Sequence, residues 1–590
     1  MNSRLFRLLA LVAASLASVP VHASLTISNA PTANVNCSAG VCSATASSAV
    51  LNVTDLTNLL ANGSVTVKST SKAVDIVVAD TFSWVSTNGL TLDSFHAIAF
   101  QQPVVVAGPG SLAIATSDGG TKGDFQFAKK GRVEFWDLGS SLEIDGHAYV
   151  LVKSLKQLAA KIAHDPQGFY ALSRNHNAAK DGIYSGSPVS MSFAGSFEGL
   201  GNTIQGLAID DTAGPSDLGM FAQLAAGGVV RDVKLANVDI TGAAGAAIGA
   251  LVGDNLGSVK NSAVSGVVNA GAACVGSLVG SNDASALVSG SRSTATLQQS
   301  SVATQSAGGL VGCNAGTIRS SASKGAVTGS GSFSNIGGVT GHNLSSGLIA
   351  SASASGKVNS ADGDSIGGGV AGLNEGAIQA SSATGDVANC LYGGGLVGDN
   401  YGAISQSYAT GAVDLAHAPN SGGGLVGVNL GSIVQSYATG SVTGEPQAQL
   451  GGLVGSNDGS IEDAYSRGAA TGDPSSTRAG GLVGDDSGSG SIMRAYSTGA
   501  PQGEAIETGG SVGLDNSNGG DIASDYWDTS TSGITNLSQG AGNVANDPGI
   551  TGRTTAQLQS GLPVGFSSSV WGEAAGINGG LPYLLALPTK

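Results

Sequence analysis

Three kinds of spacing in this 590-residue chain match known chemistry. Gly393, Gly395 and Gly398 fit the G-x-G-x-x-G of a dinucleotide-binding turn, as do the glycines at 367, 369 and 372 and at 422, 424 and 427. Such glycines let a pyrophosphate approach the backbone at a helix N-terminus, so the match requires a helix to follow. Here an Asn turn and a strand-like run follow instead, which excludes nucleotide binding by this device. Gly509 to Gly513 fits the nucleophile elbow G-x-S-x-G around Ser511. It is also the phrase GGLVG with Ser in place of Leu, which makes it scaffold. Asp210-Asp211 and Asp485-Asp486 could feed carboxyls into a hydrolytic groove. Neighbours on a strand point to opposite faces, so each pair supplies one groove residue at most. The oxygen-rich segment Asp515 to Asp528 lacks the spacing of EF-hand or nonapeptide calcium sites and reads as turn chemistry. No Cys/His spacing suggests zinc. No catalytic residue, cofactor or metal is expected.

What recurs is a scaffold phrase. The glycine closing each "GLVG" falls at 253, 280, 312, 341, 372, 398, 427, 455, 484 and 513, a period near 29 residues that marks a solenoid. Two residues beyond stand Asn255, Asn282, Asn314, Asn343, Asn374, Asn400, Asn429 and Asn457, then Asp486 and Asp515. In a parallel β-helix each coil lies about 4.8 Å above the last. A side-chain amide can then bond its copy one rung away, forming a ladder. Like charges stack poorly, so the two Asp read as the ladder weakening toward its end.

The next strand opens on Ile318, Ile378, Ile404, Ile433, Ile461, Ile492 and Ile522. Four residues on come Tyr408, Tyr437, Tyr465, Tyr496 and Tyr526, with Ala322 or Ser382 in earlier rungs. Asp463 and Arg494 share parity with the tyrosines, which points that face outward and into water. Ser407, Ala409, Ser436 and Ala438 fill the opposite parity and suit a narrow interior. The tyrosines are therefore the candidate binding surface, for sugar rings or a partner protein, against a blander role in cross-rung packing. About eleven rungs give an array on the order of 50 Å long.

Composition agrees with short strands and tight turns. Gly numbers 93, charged residues are 11% and hydrophobic residues 41%. A disordered chain would be more charged and less apolar. "MNSRLFRLLALVAASLASVPVHAS" has a basic start at Arg4 and Arg7, a short apolar stretch and small residues at Val21 and Ala23. This pattern is a cleaved secretory signal peptide over residues 1–23. Losing Arg4 and Arg7 from 25 basic side chains leaves 23 against 41 acidic ones, a net of −18. Such a surface repels nucleic acid and anionic lipid. No later run is long and apolar enough for a transmembrane helix. In an oxidising compartment Cys37 and Cys42 can close a small loop. Cys274, Cys313 and Cys390 fall at different points of the repeat and read as buried apolar residues that do not face one another.

Five segments follow: the signal peptide, an irregular β-rich region over 24–150, a helix and lead-in over 151–215, the repeat helix over 216–528 and a cap over 529–590. Region 24–150 reads as a second solenoid, with a β-sandwich as the alternative. "SLKQLAAKIAHDP" has the capping pair Ser154 and Gln157 and a helical face of Leu155, Leu158 and Ile162; "TTAQLQSG" repeats the device with Thr554 and Gln557. Open solenoid ends expose strand edges. These helices and the aromatic tail from Trp571 to Tyr583 are expected to cap them.

"GGLVGxNxGxIxxSYATGxVTG" resembles the GLUG repeat of secreted bacterial proteins. "FAGSFEGLGNTIQGLAI" (Phe193 to Ile209), "DYWDTSTSG" (Asp525 to Gly533) and "GGLPYL" resemble the usual flanks of such arrays. The flanking region is similar to filamentous-haemagglutinin-type adhesins. The resemblance implies a secreted or cell-surface adhesin or scaffold with a host or matrix glycan or protein as partner. Two departures stand out. No Asn-Pro-Asn motif of two-partner secretion occurs, and no HExxH of the GLUG-bearing immunoglobulin-A peptidases follows any of the seven histidines. The alternative is an extracellular polysaccharide-degrading enzyme on a β-helix.

Overall fold

A four-residue strand cannot satisfy its own backbone, so each one here depends on copies a rung away. In the computed structural model, Val397–Asn400 lies parallel between Ala371–Asn374 and Val426–Asn429, with Asn374, Asn400 and Asn429 in register. Residues 23–587 are described, apart from 121, 212–216, 243–246, 300–304, 416–419 and 518–521. The signal-peptide segment thus lies outside the described residues except for its last position, and so does part of the oxygen-rich stretch from 515 to 528.

Eleven strands from Phe221–Leu224 to Val512–Asp515 form the sheet that carries the Asn column. Ten from Ala247–Gly249 to Thr508–Gly509 form a second, glycine-rich sheet. Shorter strands such as Ser432–Val434, Tyr437–Ala438 and Val442–Thr443 stack on their own copies as a third face. Leu425, Val426, Ile433 and Val442 are fully buried in one continuous core. The fold is an all-β parallel solenoid, as the period predicts, with about 17 turns rather than eleven. The eleven rungs correspond to the repeat sheet alone. The other turns are built from sequence without the GLVG phrase.

The described residues divide into two compact units, up to 151 and from 152 onward. In the first, Ser24–Ser28, Ser48–Asn52, Asp75–Val78, Ile98–Phe100 and Phe125–Phe127 stack as one parallel sheet, beside two others. This stacking is that of a solenoid, not of a sandwich. Cys37 and Cys42 are bonded across an antiparallel strand pair. A helix over Val53–Asn62 interrupts the strands and was not anticipated. Its signals are local: Asn52 accepts from the amides of Thr54 and Asp55, while Val53, Leu56 and Leu60 are buried along one face.

The second unit opens with the helix Leu155–His164, whose Leu155, Leu158 and Ile162 pack with Tyr170. Ser154 caps it as expected, but Gln157 reaches back to the amide of Lys153 instead of Ser154. The capping box is complete only at Thr554 and Gln557.

The cysteine expectation is overturned. Cys274 and Cys313 form a disulfide with a Cα–Cα distance of 5.4 Å. Cys274 heads a strand of the glycine-rich sheet, and Cys313 stands third in an Asn-sheet strand one rung on. These outward positions meet across the corner between sheets, as Gln449 Nε2 and Asp485 Oδ2 do at 3.2 Å. Equal repeat position is therefore not needed for contact. Cys390 remains a buried free thiol, pushed up to about 12 by burial.

Near the end of the array Asp525 is fully buried, in register between Ala495 and Ile550, and accepts a hydrogen bond from Ser511. Burial pushes its carboxyl up to about 8. The folded state holds a proton that the unfolded chain releases near pH 4, so this residue weakens folding progressively as pH rises from about 4 to about 8. Asp525→Asn, isosteric with the neutral acid, is expected to raise the melting temperature at pH 8 and leave it unchanged at pH 4. Thermal melts across that window check this.

Candidate functional site

Each rung places a left-handed residue between its Ile and its Tyr: Gln406, Gln435, Asp463 and Arg494 all have φ near 50°. This corner breaks simple alternation and turns the following Ser-Tyr-Ala triplet so that only Tyr faces outward. Ser407, Ser436, Ala409 and Ala438 are fully buried inside the coil. The tyrosines stack one per rung. Tyr408–Tyr437, Tyr437–Tyr465 and Tyr465–Tyr496 have ring centroids 5.0, 4.7 and 5.1 Å apart and planes within 7° of parallel.

The column points outward but is not wet, which corrects the exposed platform inferred from parity. Tyr437, Tyr465 and Tyr526 are 5% exposed and Tyr496 is 0% exposed. The C-terminal segment lies against them through Leu558, Phe566, Trp571, Leu581, Leu584 and Leu587. Tyr496 Oη donates to Pro582 O at 2.7 Å, and Tyr526 Oη to Val564 O at 2.9 Å. Trp571 Nε1 donates to Asp463 Oδ1 at 2.9 Å. Burial pushes the phenols of Tyr437, Tyr465 and Tyr496 well above their ordinary range. Asp463, expected in water, is 5% exposed under this cover. The tail therefore covers the side of the array along the tyrosines.

Only Tyr408, at the start of the column, is half-buried. Between the stack and the tail lies a cleft of about 360 Å³. One wall is Thr410, Tyr437, Thr439, Tyr465 and Arg467; the other is Ile577, Asn578, Tyr583, Leu584 and Leu587. Arg467 Nη1 donates to Asn578 Oδ1 at 2.8 Å, tying the two walls. Hydroxyls, a guanidinium, an amide and aromatic edges converge here, and none of these ten lining residues carries a carboxyl. The mix suits a hydroxylated ring: apolar surface for its face, a few fixed polar groups for its hydroxyls. Sequence reasoning missed the second wall. The signal for it was that Tyr occupies this column only in the last five rungs, the stretch the tail covers.

The other named residues are structural. Asn255, Asn282, Asn314, Asn343, Asn374, Asn400, Asn429 and Asn457 are all 0% exposed. Each Nδ2 donates to the Oδ1 one rung on; Asn374 to Asn400 is 2.7 Å and Asn400 to Asn429 is 2.8 Å. Every donor points toward the C-terminus, so the chain of bonds can close on an acceptor-only residue. Asp486 is that residue, taking Asn457 Nδ2 at 2.7 Å. Ser511 is fully buried at the apparent nucleophile elbow. Gly510 beside it is required because the Trp527 ring would lie 2.2 Å from an added Cβ. Among the described residues no group of three or more His, Cys, Asp or Glu side chains could hold a metal ion. No described helix is long and apolar enough to cross a membrane.

No protein-family model matches the chain. Halomucin of Haloquadratum walsbyi is similar over 89 residues at 37% identity, covering 15% of this chain and 1% of that protein. The chain thus matches a very small part of that relative's length. Among solved structures, an IgA1 protease is similar at 21% identity with a TM-score of 0.34, over 42% of this chain and 21% of the other.

Proposed function

We propose that the chain is a secreted, non-enzymatic β-solenoid that works as an adhesin or surface scaffold and holds a glycan in the cleft beside Tyr437. The observation that carries this is the lining of that cleft. Thr410, Thr439 and Arg467 offer hydrogen bonds beside tyrosine rings, without the paired carboxyls that glycoside hydrolysis uses. The signal-like segment at the start of the chain supports export across a membrane. The net charge of −18 left after removal of Arg4 and Arg7, 23 basic against 41 acidic side chains, suits a soluble extracellular surface.

The test is co-sedimentation of the mature chain with a panel of insoluble polysaccharides, with soluble reducing ends measured in the same tubes. Thr439→Ala and Arg467→Ala are the informative variants, because both line the cleft while Tyr437 and Tyr465 are structural. Retention that falls about tenfold in either variant, the loss of ~1.4 kcal/mol of contact, supports the cleft. Release of reducing ends would favour the polysaccharide-degrading alternative. Absence of retention on every polymer would remove the glycan and leave a protein receptor or a purely structural role.

A further inference from the structure

Asp399 stands apart from the rest of the array. It occupies the outward position of Val397–Asn400, where its in-register neighbours are Leu373 on one side and Val428 on the other. Across the corner the adjoining strand brings Tyr392, stacked on Ile366. The Ile366 side chain closes over Gly398 beside it. Asp399 is only 6% exposed, and its Oδ1 has no hydrogen-bond partner. Other rungs answer such a carboxyl from within the chain: Asp485, at the same position, takes Arg478 Nη1 at 2.6 Å and Gln449 Nε2 at 3.2 Å. At Asp399 the Asn400 amide is the one group that favours ionisation.

The surroundings are acidic and aromatic. Tyr401, two residues beyond Asp399, is 54% exposed and shares a surface cleft with Glu375, and its phenol is raised first by the charge of Asp399. Glu375 reaches His342 Nε2 at 3.4 Å, and burial lowers the His342 pKa, so the imidazole is largely neutral at pH 7. A carboxyl walled by apolar side chains, with a second carboxyl and two phenol rings beside it, has an unmet demand for a cation.

We propose that Asp399, Glu375, Tyr392 and Tyr401 form a binding site for an organic ammonium group, the class that includes a lysine side chain of a partner protein. An ammonium brings three donors, ion-pairs with Asp399 and lies against aromatic rings. Among the described residues no three His, Cys, Asp or Glu side chains cluster to hold a metal ion, and the phenol rings favour an organic cation. The site lies on the Asn-ladder and glycine-rich sheets, away from the tyrosine face, and does not rest on the glycan reading.

Burial holds the Asp399 carboxyl up at about 6, so the site binds when that acid is ionised and fails when it is protonated. Glu375, His342, Tyr392 and Tyr401 are the other titratable groups facing it. The experiment titrates the full chain with Nα-acetyl-lysine amide and, separately, with its Nε-acetylated analogue, by calorimetry at pH values above about 7 and below about 5. The expected result is saturable binding of the amine alone, lost below pH 5, and weakened at least tenfold in Asp399→Asn. That variant removes a buried charge, so its melting temperature should not fall, and its retention on polysaccharide should match the parent. Equal binding of the acetylated analogue, unchanged binding by Asp399→Asn, or no saturable binding at millimolar amine would each overturn the proposal. So would displacement of the amine by calcium at equal concentration, which would make this a metal site.

Discussion

Replacing Asn400 by Ala is expected to destabilise the middle of the repeat array by about 3–5 kcal/mol. The residue is fully buried and bonded on both sides. Its removal strands Asn374 Nδ2, which donates to it at 2.7 Å, and Asn429 Oδ1, which accepts from it at 2.8 Å. Gly402 O, which it also reaches at 3.2 Å, keeps its bond from the Ser432 amide at 2.9 Å. Each buried group left unmatched costs about 1–3 kcal/mol, and the vacated volume adds to that. Solenoid stability is a sum over rungs and interfaces, so the damage should be local. Hydrogen exchange should quicken in Ala371–Asn374, Val397–Asn400 and Val426–Asn429 while distant rungs keep their protection. Asp486→Asn is the contrasting variant. It retains the acceptor for Asn457, removes a buried carboxylate and is expected to cost nothing.

The second large effect is at Trp571. Trp571→Ala should release the C-terminal segment from the tyrosine column, at a cost of about 3–5 kcal/mol for a buried Trp. Its ring lies 6.1 Å from Tyr465, 6.0 Å from Tyr496 and 4.6 Å from Phe566. Its Nε1 holds Asp463, whose carboxyl burial already raises. Loss of the indole leaves that acid under a cavity. Limited proteolysis should then cut between Gln559 and Val570 while the array stays intact. Trp571→Phe keeps most of the packing, loses the hydrogen bond and should cost about 1–2 kcal/mol. If Trp571→Ala were as protease-resistant as the parent, the tail would not be held by this contact.

The repeat made most of the architecture legible. A 29-residue period, an Asn column and an Ile column are enough to place strands and interior, because each rung meets the same constraint as its neighbours. What broke the pattern was harder to read. Parity points the tyrosines outward but does not show their covering, since nothing in the period links residue 465 to residue 571. The left-handed corner is Asn261 and Gly290 in two early rungs but Gln, Asp, Arg, Ser or Ala in the later ones, so no single residue type marks it along the array. Cys274 and Cys313 looked unrelated because repeat position was compared within one column, while contact runs diagonally across a corner. The helix Val53–Asn62 was hidden in a region read for alternation alone, though Asn52 and the Val53, Leu56, Leu60 spacing were in plain sequence.

The register of successive rungs underlies the Asn ladder, the tyrosine column and the Asp399 site alike, and the Cys274–Cys313 contact depends on it too. Non-reducing peptide mapping of the purified chain tests it most directly. The expected result is two linked pairs, Cys37 with Cys42 and Cys274 with Cys313, and a Cys390 that alkylates only after unfolding. A Cys313–Cys390 link, or a Cys274 that alkylates in the native protein, would contradict the register of the rungs.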